Sequence, residues 1–255
     1  MKILLIGDSW GVGVFSGTGA GYGPTGQGVQ TVLENQGHTV INISKGGGSN
    51  WLMMDRLDGH WGNTGRCIFG TNEQDRVDFN LNEIDYLVFF QTDIFRERHY
   101  YDKQYPTDID TKWKVLEQDF VDSLQQYQAL DDIFDDYFNK FYTKLNSYNK
   151  KVLCIGGWSQ LHPSISNYNN LVAVIPSSTK LLIPELTQDL YLSDPEWYIQ
   201  LSNDTKFMNK FGNEFKSMVV SNAKKLELIY NHWHEVHPPM EGYETLAKKI
   251  LKYLL

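Results

Sequence analysis

Four short apolar runs punctuate the chain: KILLIG at 2–7, HTVINIS at 38–44, IDYLVFFQTD at 84–93 and KKVLCIGGW at 150–158. They are rich in Val, Ile, Leu and Phe, and most lack polar alternation. Strands that are apolar at successive positions are covered on both faces, as in a parallel sheet between two helix layers. A fifth run, LELIYNH at 226–232, is a further candidate strand. Between the runs the spacing turns helical. GQGVQTVLENQG at 26–37 sets Val29, Val32 and Leu33 on one face and stops at a glycine. From Thr111 to Leu145, apolar residues recur at Leu116, Phe120, Leu124, Tyr127, Ile133, Phe134, Tyr137, Phe138, Phe141 and Leu145, predicting one helix or two in series. The opposite side carries Glu117, Asp119, Asp122, Asp131, Asp132, Asp135 and Asp136, a solvated acidic face. EGYETLAKKILKYLL at 241–255 predicts a closing amphipathic helix with Leu246, Ile250, Leu251 and Leu254 inward. Alternation of strand and helix predicts an α/β fold, a three-layer α/β/α sandwich around a mostly parallel sheet. The stretches 55–80 and 159–200 are rich in polar and turn residues and read as long loops or small insertions on one domain.

Composition narrows the function classes. With 255 residues and 41% hydrophobic positions the chain can bury a large core without metal or disulfide staples. Its net charge of −8 disfavours binding to nucleic acid or anionic lipid through bulk charge. Two cysteines, Cys67 and Cys154, make no disulfide framework; they admit a single bridge but read rather as two buried free thiols. No run reaches the roughly 20 apolar residues of a membrane helix, and the apolar stretch at 3–6 is too short for a secretory leader. The expectation is a soluble protein, cytoplasmic or released without a leader of its own, or carried within a larger assembly.

Candidate chemistry collects where the predicted strands end. Gly7-Asp8-Ser9-Trp10 follows the first run, and a glycine-rich segment extends to Gly23. That segment is no dinucleotide fingerprint: the glycines persist too long before a helix, and the second run ends in Asn42 and Ser44 rather than an acid. No cofactor is therefore expected. Asp8 is read as a brace for the serine turn. Asn42-Ile43-Ser44-Lys45-Gly46-Gly47-Gly48-Ser49-Asn50 follows the second run, and its glycines leave backbone N–H groups unobstructed. Phe90-Gln91-Thr92-Asp93 closes the third run. His232-Trp233-His234-Glu235-Val236-His237-Pro238, with Gly242-Tyr243 beyond it, precedes the last helix. Three histidines in six residues also admit a metal-hydrolase reading through His232, His234 and His237. Trp10, Trp51, Trp61, Trp158 and Trp233 fall on predicted strand ends or loops, as core residues or as a stacking platform for a sugar.

Taken in order, these blocks resemble the GDSL/SGNH hydrolase superfamily. Gly7-Asp8-Ser9 matches its nucleophile block, Gly47 its oxyanion glycine, Phe90-Gln91-Thr92-Asp93 its third block, and His234-Glu235-Val236-His237-Pro238 its fifth. The resemblance spans residues 7 to 243 and implies one domain over 1–255 with a flavodoxin-like parallel sheet. It implies a serine esterase that forms an acyl-enzyme on Ser9, with His237 as base. The oxyanion donors would be the backbone N–H groups of Ser9 and Gly47 and a third-block side chain, with Asp93 and Trp10 beside the substrate. The substrate would be a small-molecule or carbohydrate ester, such as an O-acetyl group on a sugar.

Two positions depart from the family pattern. Thr92 replaces an asparagine, so a shorter hydroxyl must serve as the donor. His234 stands where the triad acid is expected. Support for His237 is left to His234, to the adjacent Glu235, or to a carboxylate elsewhere such as Asp93. These departures keep a second reading open, a catalytically decayed scaffold that acts as a binding or structural module.

Overall fold

A computed structural model describes residues 1–13, 28–46, 48, 50–59, 76–92, 126–157, 160–186, 202–233 and 237–254. Five parallel strands form one sheet: β1 (Lys2–Ile6), β2 (Thr39–Asn42), β3 (Tyr86–Gln91), β4 (Val152–Gly156) and β5 (Leu171–Ile175). Their order is β2-β1-β3-β4-β5, that of flavodoxin-like doubly wound sheets. The four main apolar runs all become strands. β1, β3 and β4 are buried along almost their whole length, which explains their lack of polar alternation.

Successive side chains feed two cores. Ile3 and Leu5 of β1, Val88 and Phe90 of β3, and Leu153 and Ile155 of β4 enter one. It is closed by α2 (Val29–Asn35), α5 (Ser178–Leu182) with the Ile183 that follows it, and α7 (Met240–Leu254). Leu4, Ile6, Leu87, Phe89, Val152 and Cys154 enter the other, under α3 (Asn50–Leu57) and α4 (Leu130–Asn146). A one-turn helix, α1 (Ser9–Val12), follows β1 directly. The sheet with helices on both faces is the expected three-layer α/β/α sandwich.

The helix α4 shows how local sequence sets an element. Ile133, Phe134, Phe138, Phe141, Tyr142 and Leu145 recur at helical spacing and are buried. Asp132 reaches back to the N–H groups of Gln128 and Ala129 at 3.1 and 2.9 Å, occupying donors just ahead of the helix. Of the acidic face, Asp131, Asp132 and Asp135 are exposed and Asp136 is half-buried, while Glu117, Asp119 and Asp122 lie outside the described residues. Residues 111–125, the first part of the predicted helical segment, lie outside the described residues.

Two expectations need correction. LELIYNH at 226–232 is helical, the last part of α6 (Thr205–Trp233). Buried Phe207, Phe211 and Phe215 repeat every four residues, and Ile229 and Trp233 do so again. That period overrides the strand propensity of a short apolar stretch. At 29 residues α6 runs about 43 Å, and its two ends contribute to different cores. The stretch 159–200 is also not simply a loop. It holds a 3₁₀ turn at Pro163–Asn167, the edge strand β5 and α5. A shift in register between Cys154 and Ile155 marks an irregularity where β5 pairs with β4.

Among the described residues no helix is long and apolar enough to cross a membrane. Cys154 is buried with a free thiol, and burial pushes its pKa far up. Thiolate reactivity should therefore be absent in the native state. Cys154 is expected to resist alkylation at pH 8 and to react once urea unfolds the chain. Peptide mapping separates it from Cys67, and rapid native labelling at 154 would contradict its burial.

Candidate active site

The order of the sheet sets the place. β2 and β3 pair with opposite edges of β1, so the chain reverses its winding between β1 and β3. Doubly wound sheets bind ligands in the crevice at that reversal, beyond the carboxyl ends of the strands. Ile6 pairs with Phe89, and Ser9 and Thr92 each lie three residues farther on. The two polar residues therefore leave adjacent strands at the same level.

Ser9 is the first residue of α1. The carboxylate of Asp8 accepts the Trp10 N–H at 3.0 Å and caps the helix, the bracing role expected of it. The cap takes the Trp10 amide rather than that of Ser9, and a first-turn N–H has no acceptor within its own helix. Gly13, at φ 87°, ends the helix in the left-handed region and donates its N–H to the Ser9 carbonyl. Gly7 is required by close approach: a Cβ there would stand 2.6 Å from Phe90 Cβ.

The base arrives from the other end of the chain. His237 Nε2 lies 2.8 Å from Ser9 Oγ, across 228 positions of sequence. Both residues are buried, at 4% and 8% exposure, so the contact stands at the floor of the crevice, nearly shielded from water. Pro238 and Pro239 follow His237, and α7 starts at Met240, since prolines are tolerated ahead of a helix but not within it. Gly242 lets the first turn of α7 close on Pro238, whose Cβ would lie 2.8 Å from an added methyl group.

Aromatic packing ties the two halves together. The Trp10 ring meets Trp233, the last residue of α6, edge-on at 5.9 Å, and Tyr243 of α7 at 6.4 Å. Trp233 and Tyr243 bracket His237 in sequence, so the residue beside the serine grips both ends of the segment that carries the histidine. Burial, and next the charge of Asp8, hold the Tyr243 phenol well above its ordinary pKa, and it stays neutral.

The segment after β2 is fastened to α1. Asn42 Nδ2 donates to the Gly11 carbonyl at 3.0 Å, and Asn42 Oδ1 accepts the Ser44 N–H at 3.0 Å. Lys45 N–H reaches the Gly7 carbonyl at 2.9 Å. Buried Arg56 of α3 donates to the Ile43 carbonyl at 2.7 Å. At the end of β3, Thr92 N–H donates to Asn50 Oδ1 at 2.9 Å, and Asn50 Nδ2 donates to the Thr92 carbonyl at 3.0 Å. Thr92 is 1% exposed, and among the described residues its hydroxyl has no hydrogen-bond partner. An unpaired buried hydroxyl costs about 1–3 kcal/mol. Such groups in native structures call for an explanation, and one is a donor held ready for a ligand.

The expected residues divide accordingly. Ser9 and His237 touch, and Thr92 lies just past the end of β3, the strand paired with β1. Gly47, Asp93, His234 and Glu235 lie outside the described residues, as do Trp61 and Trp158. Trp10 corrects the expectation of a residue beside substrate: its ring is fully buried against Trp233 and Tyr243 and presents no open face for stacking. Trp233 is buried in the same core, so these two tryptophans build the scaffold rather than a sugar platform. His232 stands on α6 with Nε2 3.7 Å from Glu185 and is substantially exposed. Among the described residues no three His, Cys, Asp or Glu side chains gather as a metal site.

Asn50 and Arg56 were not foreseen as site residues. Asn50 closes the glycine-rich segment after β2, but sequence carries no sign that its side chain crosses to β3. No protein-family model matches this chain.

The packing predicts that Trp10→Ala destabilises the fold by about 3–5 kcal/mol, the usual cost of deleting a buried large aromatic. A urea midpoint unchanged from the wild type would place the ring at the surface instead.

Proposed function

We propose that the protein is a serine hydrolase that cleaves a carboxylic ester through an acyl-enzyme on Ser9, with His237 as general base. The observation that supports this most directly is the 2.8 Å contact between His237 Nε2 and Ser9 Oγ at a buried site on the crevice of the sheet. A serine hydroxyl is a weak nucleophile until a base takes its proton, and an imidazole nitrogen at this distance is within reach of it.

The steps follow from that pair. The neutral imidazole accepts the Ser9 proton at Nε2 while Oγ attacks the carbonyl carbon. The carbonyl oxygen becomes an oxyanion, and the Ser9 N–H and Thr92 hydroxyl are its candidate donors. The resemblance adds the Gly47 N–H. Collapse expels the alcohol, which leaves with the proton from His237. Water, deprotonated by the same nitrogen, then releases the acid and restores Ser9. The preferred substrate class is an O-acetyl ester on carbohydrate, which rests on the resemblance alone.

A fluorophosphonate probe is expected to label Ser9 in the folded protein. Ser9→Ala should abolish labelling and p-nitrophenyl acetate hydrolysis. His237→Ala should lower turnover on the order of 10³-fold or more, with circular dichroism unchanged. A folded wild type that neither labels nor hydrolyses would support the decayed, ligand-binding scaffold instead. Thr92→Ala is expected to lower kcat by roughly 10²–10³ at nearly constant KM, the range for loss of one oxyanion donor. Wild-type kcat in that variant would remove Thr92 from the mechanism.

A further inference from the structure

We infer that Asn50 is a positioning residue for this reaction: its carboxamide locks the Thr92 backbone and so sets where the Thr92 hydroxyl meets the developing oxyanion. The inference rests on the hydrolase reading above and deepens it.

A carboxamide offers two N–H donors and one acceptor oxygen. The acceptor is committed to the Thr92 N–H at 2.9 Å. Nδ2 is committed to the Thr92 carbonyl and to the Tyr137 hydroxyl, each at 3.0 Å. The orientation of the amide is fixed by these partners, because a flip would set N–H against N–H and oxygen against oxygen. Asn50 is 1% exposed, and its carboxamide has no donor left for a ligand. It therefore cannot stand in for the asparagine that the third block lacks, although it brings a carboxamide to the backbone of Thr92.

What Asn50 does control is Thr92. Beyond Gln91 the chain leaves β3, and ladder hydrogen bonds no longer define the backbone. One side chain satisfies both the N–H and the carbonyl of Thr92, and among the described residues Oγ1 is its one polar atom without a partner. A threonine hydroxyl hangs from Cβ with χ1 as its only heavy-atom freedom, so its position follows the backbone closely. A short donor must be held more accurately than a long amide, since a misplacement of about 1 Å can cost 10²-fold in rate. Tyr137 anchors the clamp from outside, its ring stacked on Phe141 of α4 at 6.2 Å.

A double-mutant cycle with p-nitrophenyl acetate tests the inference. Asn50→Asp keeps size and the acceptor but cannot donate to the Thr92 carbonyl as a carboxylate. It is expected to lower kcat about 10- to 100-fold with KM little changed. Tyr137→Phe, which loosens the clamp without touching Thr92, should lower kcat less, by at least about twofold. Both losses should vanish in a Thr92→Ala background, where no hydroxyl remains to be aimed. Equal fold-losses with and without Thr92, or wild-type kcat in both variants, would overturn the positioning role. If Asn50→Asp does not fold, the same comparison with Tyr137→Phe decides. Fluorophosphonate labelling of the wild type separates the two levels: a labelled wild type with multiplicative losses overturns Asn50 alone, and an unlabelled one overturns the hydrolase reading with it.

Discussion

Parallel pairing of β1 with β3 is the constraint from which the site follows. β1 is buried at four of its five positions, and its backbone N–H and carbonyl groups, shut away from water, are paired along both edges. With β2 on one edge and β3 on the other, the connection from β1 to β2 packs α2 on one face of the sheet and the connection from β2 to β3 packs α3 on the other. The strand ends then part, and a crevice opens where Ser9 and Thr92 emerge. The pairing runs close enough that Gly7 has no space for a side chain against Phe90. The same closeness brings α1 against the end of β3.

Among the described residues, those that shape the crevice are held by elements packed around these two strands. Asn42 and Arg56 secure the segment after β2, and Asn50 secures the end of β3. His237 is delivered by apolar contact. Trp10, Trp233 and Tyr243 form one buried aromatic cluster on the core under α7, and the histidine lies on the segment strung between the last two. Polar geometry at the floor of the site thus depends on hydrophobic burial beside it. That division suits a buried hydrogen bond, which gains strength away from water but cannot itself supply the energy that collects its partners.

The fold was largely legible where burial leaves a periodic trace. The runs at 2–7, 38–44, 84–93 and 150–158 became β1 to β4, because a strand between two layers must be apolar at nearly every position. β5 was missed because LVAVI is short, lies at an edge, and is surrounded by Asn, Pro and Ser that read as loop. LELIYNH misled for the converse reason: seven residues are too few to separate a strand from a helix, and the period emerges only when Phe207 through Trp233 are seen as one face.

Candidate chemistry was legible in residue type and order: a serine after the first strand, a threonine after the third, and a histidine before the last helix. Residue identity constrains what a side chain can do, and the order of blocks constrains which strand end it leaves. The tertiary structure alone decided that Ser9 and His237 touch across 228 positions, that Trp10 turns into the core rather than toward a ligand, and that Asn50 crosses to clamp Thr92. Each of these joins residues far apart in the chain. Local sequence encodes the propensity of an element and the face it buries, but the direction of a side chain across a crevice is set by the packing of elements that no local pattern brings together.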